Sequence, residues 1–226
     1  MKSFAASIAA LGLVCAVASA ARAAKDCDEF EELTMTLERN ATDGDTEVVL
    51  FAKGLDDGLK RFVVRNPNGR RVVDFFGDPR SIGIREFVLE SAEPPDLDRV
   101  LASFPAGEYT FFGKSVEKDC LLGTATLSHT LAPETTLLTP EADEVVAADA
   151  VVLSWTAVPS AVQYVVELNN EDSGAEFTFQ VFPPATSFEV PGSIVAPGSE
   201  YQFAVGVRSA DGNLTFVEHN FLTAEE

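Results

Sequence analysis

Along most of the chain apolar and polar residues alternate with a period of two, the pattern of strands that bury one face and expose the other. Leu33, Met35 and Leu37 alternate with Thr34, Thr36 and Glu38, which predicts a first strand. Asp43-Gly44-Asp45 turns the chain into a second over residues 47–53. Strands over 60–65 and 70–76 flank Asn66-Pro67-Asn68-Gly69, where Asn-Gly is a hairpin signal. Segments 84–90, 108–113 and 121–129 bring this region to about seven strands. Between them Leu97, Val100 and Leu101 are helically spaced, so one or two helical turns are expected within 96–104; Pro94-Pro95 bars an earlier start. After Leu131-Ala132-Pro133, seven more strands are expected, over 137–138, 151–156, 163–168, 177–182, 187–190, 200–208 and 214–221. Turns recur every eight to twelve residues, the rhythm of sandwiches or barrels. The pattern predicts an all-β chain of two tandem immunoglobulin-like β-sandwiches, over residues 24–133 and 134–226. The joint is too short for the two to reorient freely.

The second half carries sharper landmarks. Trp155 closes one strand, Tyr164 sits in the next, and Val195-Ala196-Pro197-Gly198-Ser199-Glu200-Tyr201 leads into a later one. A Trp there is a large apolar anchor between sheets, and a Tyr at a strand entry can bury its ring while its hydroxyl bonds nearby backbone. Pro and Gly before Tyr201 set up the corner turn. In order and spacing these residues resemble a fibronectin type III domain over about residues 134–224. Val195 stands where that family usually has Leu. The resemblance implies a fold rather than a function, because sandwich modules host many functions. Phe104-Pro105-Ala106-Gly107-Glu108-Tyr109 echoes the same corner in the first half.

Residues 1–23 read as a cleaved signal peptide. Lys2 precedes an apolar run from Phe4 to Val17, followed by the small-residue patterns Ala18-Ser19-Ala20 and Ala21-Arg22-Ala23. The run is shorter than the roughly 20 apolar residues a spanning helix needs. Bulky Val14 before Cys15 argues against a lipid-modified cysteine. Cys27 and Cys120 then remain, and an even pair in an exported chain is expected to form one disulfide. The expected location is secreted or periplasmic, with no membrane insertion after signal removal.

Charge narrows the partners. The chain has 16 basic and 36 acidic residues, a net of −20. Residues 134–226 hold 15 acidic residues against a single base, Arg208. Such a surface repels nucleic acid and anionic membranes.

Few residues offer chemistry. There is no nucleophile elbow, no His-Glu-x-x-His, no Cys-x-x-Cys and no phosphate-cradling loop. His129 and His219 fall near strand ends in different halves. No catalytic, cofactor-binding or metal residue is assigned, and no enzyme is expected. Asp43, Asp45 and Glu47, and also Asp56-Asp57, are acidic turns that suit either a hard cation or an ordinary tight turn. Lys60, Arg61, Arg65, Arg70 and Arg71 cluster on one hairpin, as a docking face or as charges that discourage edge pairing. Phe177 and Phe179 share one strand face, expected to be core and half-exposed sheet. The loop Ser209–Asn213 lies where fibronectin-like modules often meet partners. Asn40-Ala41-Thr42 and Asn213-Leu214-Thr215 match the glycosylation acceptor pattern. The expectation is an exported, non-catalytic binding protein, its partner an extracellular or envelope protein or glycan, met through loops or a free sheet edge. The alternatives are a small extracellular hydrolase or its accessory module, and a calcium-stabilised cell-surface component.

Overall fold

A computed structural model describes residues 27–225 apart from Pro79 and Pro95. The expected signal peptide lies outside the described residues. The first half contains β1 (Asp28–Glu29), β2 (Glu32–Asn40), β3 (Thr46–Lys53), β4 (Leu59–Arg65), β5 (Arg71–Phe76), β6 (Glu86–Glu90), the short helix α1 (Leu97–Ser103), β7 (Gly107–Ser115) and β8 (Cys120–Leu127). The second contains β9 (Leu137–Thr139), β10 (Val145–Val146), β11 (Val152–Trp155), β12 (Gln163–Asn170), β13 (Ala175–Val181), β14 (Ser187–Glu189), β15 (Glu200–Arg208) and β16 (Leu214–Thr223). Asp96 caps α1 by accepting from the Arg99 N–H, as an aspartate before an apolar helical stripe should.

The two halves share one strand order. In the first, β2-β3-β6 faces β8-β7-β4-β5; in the second, β9-β11-β14 faces β16-β15-β12-β13. Each is an immunoglobulin-like sandwich, and the second is fibronectin type III-like. The two-residue strands β1 and β10, too short to show in the alternation, pair in parallel with β8 and β16.

Both cores follow from the alternation. Met35 and Leu37 on β2 meet Val48 and Leu50 on β3 under a layer of phenyl rings from Phe30, Phe62, Phe87 and Phe111. In the second half Trp155 is 1 % exposed and stands edge-on to Tyr164, ring centroids 5.3 Å apart. The Tyr164 hydroxyl accepts the Val158 N–H at 2.9 Å. Both corners are built as read. The Tyr201 hydroxyl accepts the Ala196 N–H at 2.7 Å, after a turn in which Gly198 adopts φ +64°. The Tyr109 hydroxyl donates to the Pro105 carbonyl at 3.0 Å. A disulfide joins Cys27 to Cys120 and clips the start of the first half to the start of β8.

The halves are not merely linked. β16, an edge strand of the second, pairs in parallel with β2, an edge strand of the first, over Leu214–Phe216 and Glu38–Asn40. One sheet therefore runs through both, in the order β13-β12-β15-β16-β2-β3-β6.

Candidate functional site

The seam between β16 and β2 absorbs several residues that looked available for binding. Asn213 is fully buried: its Oδ1 accepts the Leu37 N–H at 2.8 Å, and its Nδ2 donates to the carbonyls of Ser128 (3.0 Å) and Thr130 (2.8 Å). One amide side chain thus ties together β2, the linker and the last loop. The loop Ser209–Asn213 is a structural joint at Asn213, while Ala210 and Asp211 at its tip remain exposed. A glycan on Asn213 would require its occupied nitrogen, so the folded protein has no acceptor there. Further along, the Ala41 N–H donates to the Phe216 carbonyl at 2.8 Å, and the Glu218 N–H donates to Thr42 Oγ1 at 3.0 Å. Gly206 is needed beside this seam, since a Cβ on it would stand 2.6 Å from the Phe216 ring.

Next to these bonds lies a crevice of about 190 Å³. The first half lines it with Glu38, Asp43, Asp45, Glu47 and Glu93, and the second with Glu167 and Glu218. Burial raises the Glu38 carboxyl above its usual range, against the attraction of Arg208. Burial, and then the charges of Glu93, Glu90 and Glu38, push Glu47 up to about 7. Burial also raises Glu167, helped by Glu38, Glu218 and Glu176. Among the described residues no group of three or more His, Cys, Asp or Glu side chains is arranged to hold a metal ion. The Asp43–Asp45 turn lies on this crevice, whereas Asp56 pairs with Arg85 elsewhere at 3.0 Å.

The histidines are apart and occupied. His129 Nε2 lies 2.7 Å from the Phe104 carbonyl, and His219 Nε2 lies 2.9 Å from that of Pro140. The basic hairpin is largely satisfied within the first half. Arg61 and Arg71 both pair with Asp74, Lys60 donates to the Val116 carbonyl and Arg65 to that of Gly69. It does not dock on the second half.

A different surface is left open. Among the described residues β13 ends the long sheet and pairs only with β12. Its seven residues, Ala-Glu-Phe-Thr-Phe-Gln-Val, contain one charge and no proline, and its register with β12 is unbroken. Glu176, Thr178 and Gln180 are exposed; Phe177 and Phe179 turn inward and remain partly accessible, with Phe179 packed on Phe188 at 4.4 Å. Phe182, just beyond, is 60 % exposed. The other edges are blunted as natural edges usually are. β5 carries Arg71 and Asp74, β6 carries Glu86 and Glu90, and β9 and β14 are three residues long each.

No family model and no curated protein matches the chain. Among solved structures it is similar to the FN1–FN3 domains of chicken CNTN1, with 14 % identity, 88 % of this chain covered and a TM-score of 0.37. It is similar also to a two-fibronectin type III domain segment of chicken tenascin, with 11 % identity, covering 85 % of this chain and 98 % of that one, at TM-score 0.32. A third is a 1.5-MDa bacterial ice-binding adhesin, with 19 % identity, 86 % of this chain covered and a TM-score of 0.32. The chain spans 65 % of the length of the CNTN1 and adhesin structures.

Proposed function

We propose that the protein is an exported, non-catalytic interaction module that captures an extended peptide segment by strand addition at β13. The observation that carries this reading is the unblunted edge. An unbroken edge with one charge in seven residues presents unpaired backbone N–H and C=O groups, and strand addition satisfies them while pockets between alternate side chains select the sequence. The surroundings set the chemistry of the partner. Glu167, Glu171, Asp172, Glu176 and Glu200 lie on β12, the β12–β13 turn, β13 and the start of β15. A complementary segment alternates apolar residues, set beside Phe177 and Phe179, with Lys or Arg set beside Glu176.

The reading includes export after cleavage near Ala23, to a secreted or periplasmic location, and two modules divided near Pro133. The disulfide fits an oxidising compartment. No helix among the described residues is long and apolar enough to cross a membrane.

Selection of a displayed library of short random peptides on the purified protein tests the proposal. Enrichment of basic–apolar alternating sequences is expected, and the double substitution Thr178→Lys/Gln180→Lys should weaken their binding about tenfold or more, a loss of about 1.4 kcal/mol. No enrichment, or clones that bind the double variant equally well, would defeat it.

A further inference from the structure

The crevice beside the β16–β2 seam gathers like charge from both halves of the molecule at the place where their backbones first meet. From the first half come Glu38 on β2, Glu47 on β3, Glu90 on β6 and Glu93 just after it, with Asp43 and Asp45 on the β2–β3 turn. From the second come Glu167 on β12 and Glu218 on β16, with Glu176 on β13 within reach of Glu167. The positive groups are two. Arg39 lines the crevice, and Arg208 on β15 acts on Glu38 while donating to Gln163 Oε1 and the Gly212 carbonyl. Two guanidinium groups do not neutralise so many carboxylates.

We propose that this crevice is a proton-operated latch, closed on acidification as carboxylates gathered from the two halves lose their charge and loosened at neutral pH as they repel one another. The backbone pairing it bears on is short, three residues from each strand, so repulsion there is opposed by few bonds. The bonds nearest the charge are the Ala41 N–H to the Phe216 carbonyl and the Glu218 N–H to Thr42. At the other end of the seam, Asn213 is neutral and acts as the fixed point about which loosening occurs. Glu47 and Glu93 line the same crevice, and the charge of Glu93 acts on Glu47 ahead of those of Glu90 and Glu38.

The direction follows from linkage. Glu47 titrates near 7 in the folded protein and near 4.5 when unfolded, so between those values the folded state holds more protons. Its contribution is fully present below the unfolded value and is lost as pH rises through about 7. Glu38 and Glu167, both raised, act in the same direction.

Amide hydrogen exchange on the full protein, at about pH 8 and about pH 5.5 with a chelator present, reads the latch once rates are corrected for intrinsic exchange. Ala41 and Glu218 report the seam, and Val166 in the interior of β12 is the reference. Protection at Ala41 and Glu218 should be about tenfold greater at the lower pH, with Val166 changing far less. In Glu47→Gln/Glu93→Gln, seam protection should be high at both pH values. Seam protection independent of pH in the unsubstituted protein, or a double variant that keeps the full pH response, would overturn the proposal. If the double variant does not fold, Glu167→Gln, placed on the opposite half, supplies the same reading. The chelator excludes divalent cations as the agent.

Discussion

In the first half of the molecule two sheets close over stacked phenyl rings, with Phe62 on Phe87 at 4.5 Å; in the second they close over Trp155, set edge-on to Tyr164. The first half is clipped by a disulfide and the second has none among its described residues. The first covers its free edges with charge, and the second leaves β13 bare. Yet the strand order is the same in both, and each fixes its corner with a buried tyrosine bonded to backbone four or five residues upstream. Alternation and the closing corner therefore carry the topology, and the identity of the filler is free to vary. Where the halves differ, the difference lies in how stability is distributed and in which edge is left for use.

The largest expected effect is Trp155→Ala. Truncating a fully buried aromatic anchor should cost about 3–5 kcal/mol, measured by denaturant unfolding. A near-neutral result would mean that the second half is not organised around that ring. Next comes removal of the clip by Cys27→Ala/Cys120→Ala. The bond closes a sequence separation of 93 residues, and the chain-entropy model gives an upper figure of about 4.7 kcal/mol for such a loop. The loss should fall on the first half, seen as faster exchange in β7 and β8 than in β12 and β15. Equal loss in both halves would show instead that the continuous sheet makes them one cooperative unit. The smallest is Asn213→Ala, which leaves the Leu37 N–H and two linker carbonyls without their partner. A cost of about 2–3 kcal/mol is expected, with the coupling between the unfolding of the two halves weakened in calorimetry. Unchanged coupling would show that strand pairing alone couples the halves.

Much of this fold is legible in the residues. Leu33, Met35 and Leu37 announce β2; Asn68-Gly69 announces the β4–β5 hairpin; Trp155, Tyr164 and Tyr201 announce the second sandwich. Such signals are local, because side-chain alternation and turn chemistry depend on residues a few positions apart. Phe177 and Phe179 lie, as expected, between core and surface. The same locality misleads at Ser209–Asn213. Asp, Gly and Asn in a row mark an exposed turn, and nothing nearby reveals that Asn213 will meet Leu37, 176 positions away.

The sequence by itself determined two sandwiches, their corners, the pairing of Cys27 with Cys120 and the strongly acidic character of the chain. Tertiary structure alone decided that β16 lies against β2, and with that everything at the seam. Glu38, Glu167 and Glu218 are unremarkable singly, and their meaning arises because one sheet passes through both halves and brings them to a common crevice. The bareness of β13 is likewise a property of position. A run of alternating Phe and Thr reads the same at the centre of a sheet as at its edge, and only the order of strands leaves its backbone unpaired.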